Sequence, residues 1–414
     1  MLTRGSAAGA TASPLRAFAR RAGFRADLDA ALAAPVERGD VVGVIGAVTD
    51  AGDTLYSAAF GKREIGRDVA MTEETVCNIA SMVKPVTAVC ALQLVEQGRL
   101  DLDAPIATWL PDAGQLQVLA GWQGDRPVLR APARPITLRH LMTHSSGMSS
   151  TLWDAGYLKF VQAVHRGGDF PPLDYADPAT WIGRPLMFDP GEKWAYGPSL
   201  DWIGRLVQDV SGKSLGTYMR ENVLAPLGMA STGFAMSEDM LARRATIHQR
   251  APDGTIGLLD PPVPVNDGRE YGGGTINGTA TDYQRFIRMI LNGGSGNGNR
   301  VLRPETVARM VVNQMGGVRV PRFLTTSPAR MRDIELFPGV PKSWGMSFMI
   351  NEAAAPTGRP AGSLAWAGAY NTFFWIDPVN RIGGVFLSQL KPLFDEKTMA
   401  AFSAFESACY GNAA

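Results

Sequence analysis

Apolar positions along the chain change their spacing several times, and each change predicts an element. Residues 26–37 carry apolar side chains at helical intervals and stop near Gly39. Residues 41–48 (Val-Val-Gly-Val-Ile-Gly-Ala-Val) read as a buried strand, and Asp50-Ala51-Gly52-Asp53 as a turn. Residues 54–61 return as the hairpin partner. The run 85–97 is apolar around most of its circumference, as in a helix enclosed on all sides, with Gly98 as its stop. Between 111 and 270 proline, tryptophan and turn residues crowd around short helical stretches at 138–143, 200–210 and 214–223. A helix over 284–291 follows, then strands over 344–350, 363–367, 371–376 and 382–390, and a last helix over 397–409.

Strands at both chain ends with helices between them predict an α+β fold. The expected architecture is an antiparallel sheet flanked by helices and built from both chain ends, residues 25–110 and 271–414. A mainly helical subdomain, 111–270, is inserted in it, and 1–24 form a loose leader.

Composition narrows the function classes. A length of 414 residues allows two or three structural units, and 45% hydrophobic against 19% charged residues is enough for a sizeable core. A net charge of +1 gives no electrostatic reason to expect nucleic acid or an anionic membrane as partner. No stretch is apolar for long enough to span a bilayer, and the first 28 residues lack a secretory core. A cytoplasmic protein of open oligomeric state is the expectation. Cys77, Cys90 and Cys409 are too scattered for a disulfide framework or a zinc cluster. His140 and His144 stand at i, i+4, but no Glu or Cys nearby completes a metal site.

The candidate chemistry lies at the head of the enclosed helix, in Ser81-Met82-Val83-Lys84. Pro85 is tolerated only at a helix start, so the tetrapeptide falls in or just before the first turn. Three residues apart, the Ser81 hydroxyl and Lys84 amine share one face, and the helix N-terminus favours a developing anion. A serine beside a lysine base is an activated nucleophile. A second copy, Ser388-Gln389-Leu390-Lys391, ends an apolar strand and reads as structural. The glycines of Tyr271-Gly272-Gly273-Gly274-Thr275 lack a following Lys-Ser/Thr, so a tight turn or close backbone approach explains them better than a phosphate loop. No Gly-x-Ser-x-Gly is present, which weighs against a Ser-His-Asp hydrolase.

Five ordered blocks carry a family resemblance: Asn78 to Ala88, Ile136 to Gly147, Phe188 to Tyr196, Leu224 to Met229 and Thr279 to Tyr283. Together they resemble the serine β-lactamase-like superfamily, on the class C branch, and within it the family VIII carboxylesterases. The resemblance runs from about residue 25 to 410 and implies a β-lactamase-like fold. It further implies Ser81 as the acylated nucleophile, Lys84 as its proton acceptor and Tyr196 as partner in acid–base work. The backbone N–H groups of Ser81 and Ala369 would form the oxyanion hole.

Two departures refine this. Where the β-lactamases have Tyr-x-Asn, this chain has Tyr196-Gly197-Pro198; the literal Tyr410-Gly411-Asn412 is a coincidence of the chain end. Where they carry Lys-Thr-Gly, it has Trp366-Ala367-Gly368, so an apolar ring replaces an anion-binding lysine. The resemblance therefore implies a serine carboxylesterase acting on neutral, short-chain esters, with no cofactor and no metal. Trp366 and Gly368 would border the substrate. Trp153, Tyr157 and Phe170 could line the pocket, although core packing is the stronger expectation for those three. The alternatives are an acyltransferase, an amide or D-amino-peptide hydrolase or a weak β-lactamase on the same site, and a non-catalytic ligand-binding relative.

Overall fold

The structure is a computed structural model that describes residues 23–164 and 180–412. Residues 1–22 of the expected leader, and Phe170, lie outside the described residues. In chain order, α1 (Phe24–Glu37), β1 (Gly43–Asp50) and β2 (Thr54–Gly61) lead to α2 (Lys84–Glu96). The hairpin β3 (Val118–Gln123) and β4 (Arg126–Arg130) precedes α3 (Leu138–Met142), α4 (Ala155–Val164) and α5 (Ser199–Ser211). After α6 (Ala280–Leu291) come β5 (Lys342–Trp344), β6 (Met349–Asn351), β7 (Leu364–Gly368), β8 (Thr372–Asp377), β9 (Ile382–Leu387) and the helix α7 (Glu396–Cys409).

Seven of these strands form one sheet in the order β5-β6-β7-β8-β9-β1-β2, with every pairing antiparallel. The two chain ends meet where β1 lies against β9, Ile45 opposite Leu387 and Asp50 opposite Ile382. The expected antiparallel sheet from both termini is present.

Both faces of the sheet are covered, which is why β8 and β9 are buried without alternation. Pleating sends Phe373 and Trp375 to one face and Phe374 to the other. On the first face Phe373 stacks on Phe402 of α7, ring centroids 4.5 Å apart, and Trp375 meets Phe405 at 6.0 Å. On the second, Phe374 meets Tyr283 of α6 at 5.0 Å. The Trp375 ring lies over Gly384 so closely that a Cβ there would stand 2.1 Å from it. Glycine at 384 is thus a packing requirement.

Three elements depart from the sequence expectation. The strand expected over 344–350 is the hairpin β5–β6, turning where the Gly345 N–H donates to the Phe348 carbonyl (2.8 Å) and Ser347 takes φ 76°. Residues 342–350 are all buried, and the turn residues Gly345 and Ser347 stand singly among apolar neighbours, too weak a signal to break the run in sequence. The hairpin β3–β4 stands inside the stretch read as mainly helical, closed by the turn after Gln123. The strand expected to reach 390 ends at Leu387, because the Ser388 hydroxyl donates to the carbonyls of Tyr370 (3.1 Å) and Asn371 (3.0 Å). That confirms a structural use for the second Ser-x-x-Lys serine. Among the described residues no helix is long and apolar enough to cross a membrane.

Candidate active site

Ser81 sits in a 3-10 turn, Ala80–Val83, that runs directly into α2. The turn is held from several sides. Asn78 accepts the Ala80 N–H through Oδ1 (3.0 Å), and Gln389 pairs with both backbone groups of Asn78 (2.9 and 3.1 Å). From behind, the Tyr283 hydroxyl donates to the Met82 carbonyl (2.8 Å). Ala80 itself adopts φ 44°, a left-handed conformation that a non-glycine residue keeps only when its surroundings enforce it. In the turn that follows, Ser81 is partly exposed while Met82, Val83 and Lys84 are buried.

Lys84 Nζ lies 2.9 Å from Ser81 Oγ and 2.5 Å from the Gly273 carbonyl oxygen, which also accepts from Ser81 Oγ (3.2 Å). Lys84 is 4% exposed. Its ammonium stands 4.8 Å from the centroid of the Tyr196 ring.

Tyr196 is carried there by two matching blocks that lace together. The Ala195 N–H donates to the His144 carbonyl (2.9 Å), Gly191 N–H to Ser145 (2.7 Å) and Met187 N–H to Gly147 (2.7 Å). Asp189 anchors the second block by accepting from Arg130 (2.9 and 2.6 Å) and from the Ala133 N–H (2.7 Å). The Arg130 guanidinium holds its carboxyl down at about 2. The Tyr196 ring is boxed by Trp194, Trp153, His144 and Trp366, the last at 4.9 Å.

Trp366 is 4% exposed, and its indole Nε1–H donates to Tyr196 Oη at 3.1 Å. Its polar link to this cluster runs through Tyr196. Gly368 closes the gap between β7 and the serine turn. A Cβ there would stand 2.3 Å from both the Ile79 carbonyl oxygen and Thr372 Oγ1, so only glycine lets the strand come so near.

Two cavities flank the cluster. One, of about 210 Å³, is lined by Ser81, Ala369, Tyr370, Phe234, Arg269 and Asn277 among others. The second, of about 300 Å³, is lined by Trp153, Tyr157, Tyr196, Asp201 and Arg184 among others. Trp153 and Tyr157 therefore border a cavity and also pack, half-buried and buried respectively. Core packing alone, the stronger sequence expectation for them, describes only part of their setting. Tyr370, beside Ala369, has its hydroxyl raised by burial against the pull of Arg330 and Arg269.

A family model described as Beta-lactamase matches residues 28–407. The chain belongs to the beta-lactamase family. Over 404 residues it is 29% identical to ML-236A carboxylate methylbutanoyltransferase mlcH of Penicillium citrinum, spanning 94% of this chain and 95% of that one. Over 375 residues it is 29% identical to the Lovastatin esterase of Penicillium rubens, spanning 86% and 91%. Among solved structures, Simvastatin Synthase (LovD) from Aspergillus terreus superposes with a TM-score of 0.78 at 27% identity, covering 94% of this chain and 99% of that one. The family fold here thus has both acyltransferases and an esterase among its relatives.

Three groups at the centre of this beta-lactamase fold were passed over in the sequence. Gly273 belongs to the glycines expected to serve a tight turn or close backbone approach, and its carbonyl in addition takes both Lys84 and Ser81. Asp201, in the first turn of α5, accepts the Gly273 N–H at 2.8 Å. Burial raises its carboxyl, opposed by the Lys84 ammonium and that N–H. His144 was weighed only as a metal ligand. Its ring is fully buried among Tyr196, Trp194 and Trp344, and burial, with Lys84 nearby, holds it far below its usual value. His140 instead faces Thr137 in the cap of α3, Nδ1 to Oγ1 3.1 Å. The only available signal for Asp201 was its place five residues after Tyr196.

Proposed function

We propose that this protein is a serine acyl-transfer enzyme that cleaves carboxylic esters through an acyl-enzyme at Ser81. The observation that carries the reading is the Lys84 Nζ to Ser81 Oγ contact of 2.9 Å at a helix N-terminus, with Tyr196 over the lysine. In the neutral form the Lys84 amine accepts the Ser81 proton as Oγ bonds to the ester carbonyl carbon. The oxyanion that forms is held by the backbone N–H groups of Ser81 and Ala369, which line one cavity. As the tetrahedral species collapses, the C–O bond to the alcohol breaks. Tyr196 gives its proton to the departing oxygen and is reprotonated by Lys84, which carries the proton taken from Ser81. Water then attacks the acyl-enzyme by the reverse proton path and releases the acid.

Trp366 stands where the family's β-lactamases carry an anion-binding lysine, which favours esters that are neutral and short at the reacting end over penicillin-like acids. An alcohol entering in place of water makes the same site an acyltransferase. That second reading is favoured by the methylbutanoyltransferase relative. Trp153 and Tyr157 border the acyl or alcohol group from the second cavity.

The test is intact-protein mass and turnover with short-chain aryl esters and a chromogenic cephalosporin, each with and without an added alcohol. Ser81→Ala is expected to keep the fold and lose turnover by on the order of a thousandfold or more. Ester turnover with a Ser81 adduct supports the reading, and an ester product with the added alcohol assigns transfer. Wild-type-like turnover by Ser81→Ala would overturn it.

A further inference from the structure

The groups around Lys84 are arranged with an asymmetry that the acyl-enzyme reading leaves unexplained. Among the described residues no carboxylate lies within the 4.0 Å of an ion pair with this lysine. A cation 4% exposed needs compensation from somewhere close. The Gly272–Gly273 segment supplies the link. The peptide unit joining these glycines is held at both ends: Thr87 Oγ1 donates to the Gly272 carbonyl (2.8 Å), and Asp201 Oδ1 accepts the Gly273 N–H (2.8 Å). The next carbonyl, of Gly273, is thereby aimed at Lys84 Nζ and Ser81 Oγ.

A Cβ at Gly273 would stand 3.1 Å from each Asp201 carboxylate oxygen and 3.2 Å from Lys84 Nζ. Carboxylate and ammonium thus flank one Cα, and a glycine is the residue that lets them.

Resting on the function proposed above, we propose that Asp201 is a positioning residue for the Ser81–Lys84 pair. Through Gly273 it fixes the carbonyl that both groups share, and its charge is the counter-charge of Lys84. With one Lys84 N–H tied to that carbonyl, the lone pair of the neutral amine is left to face Ser81 Oγ. Pro198 offers no side-chain amide where the family's β-lactamases have asparagine, and Asp201 stands one turn further along, on α5. The other groups facing this pair are Tyr196, His144 (neutral through burial) and Arg184, which lines the same cavity as Asp201. His144 and Arg184 set a fixed background that substitution at 201 does not alter.

Two substitutions separate the parts of the proposal. In Asp201→Asn the amide oxygen still accepts the Gly273 N–H but the charge is gone. In Asp201→Ala both are lost. Stopped-flow acylation by an aryl ester is measured across pH for each, together with urea unfolding. Asp201→Ala is expected to acylate about tenfold or more slowly with KM little changed, since the loss falls on the proton-transfer geometry. Asp201→Asn is expected to recover most of that rate. Without the counter-charge, its acid limb moves to lower pH. A purely structural role would move the urea midpoint and leave the acid limb in place.

The proposal is overturned if Asp201→Ala acylates at the wild-type rate, if Asp201→Asn is as slow as Asp201→Ala, or if the acid limb of Asp201→Asn stays where it was. Should Asp201→Ala fail to fold, the limb in Asp201→Asn decides. Retained turnover in Ser81→Ala is a separate result and refutes the acyl-enzyme reading instead.

Discussion

Replacing Trp366 by phenylalanine tests whether the tryptophan acts on the reaction through Tyr196 or only as an apolar wall. The substitution keeps a ring in contact with Trp344 and Tyr196 but removes the Nε1–H that donates to Tyr196 Oη at 3.1 Å. In the resting enzyme this is a bond between neutral groups, worth about 1 kcal/mol. When Tyr196 gives its proton to the leaving alcohol, the oxygen gains negative charge and the same bond rises to about 1.5–3 kcal/mol. The difference, of order 0.5–2 kcal/mol, falls on the transition state alone and corresponds to a loss of roughly 2- to 30-fold in kcat. Tyr196 borders a cavity, so a water entering there offsets part of the loss and places the expected value in the lower part of that range, about fourfold. KM stays close to that of the wild type, because ester binding does not use the bond. The smaller ring also leaves a gap in a site 4% exposed, costing about 1–3 kcal/mol of stability, read separately from urea unfolding. Steady-state kinetics on a short aryl ester decide the matter. An unchanged kcat with a raised KM would refute the reasoning and return Trp366 to the role of a wall.

The other predictions concern the framework around the site. Gly384→Ala puts a methyl into the Trp375 ring, and is expected to lower stability by about 1–3 kcal/mol or more through overpacking, measured by urea unfolding. Asp395→Ala removes the partner of Arg250 (2.7 and 3.0 Å) and the cap of α7, leaving a guanidinium 9% exposed without its carboxylate. A loss of about 3–5 kcal/mol is expected, and a loss below about 1 kcal/mol would show that water reaches Arg250 freely. Asp189 is held at about 2, below its ordinary 3.8, so its contribution is complete above that ordinary value and is lost as pH falls through about 2. The urea midpoints of wild type and Asp189→Asn are therefore expected to differ near neutral pH and to converge in acid. A gap that does not narrow on acidification contradicts the ion-pair account of how the Tyr196 segment is anchored.

What the sequence determined by itself is what short spacing records. Ser81 and Lys84 lie three residues apart at the head of an apolar helix, so their meeting is a local consequence of helical geometry, and it holds at 2.9 Å. Strand periodicity and turn residues likewise marked most of the sheet, and the ordered blocks marked the family, whose model spans residues 28–407. The hairpin at Gly345 escaped because its turn residues, Gly345 and Ser347, stand singly in a fully buried stretch and do not cluster as turn signals usually do. Only the tertiary structure could decide what surrounds Lys84. Trp366 reaches Tyr196 across 170 residues of sequence, and the Gly273 carbonyl reaches Lys84 across 189. Asp201 meets the Gly273 N–H across 72. Nothing in the residue types at 201, 273 or 366 announces these contacts. A backbone carbonyl has no letter in the sequence, and Trp366 reads as an apolar wall until its N–H is seen to donate to Tyr196. Close approach between elements that pack from opposite sides of the molecule is set by the whole fold, and that is where the environment of the serine and lysine was made.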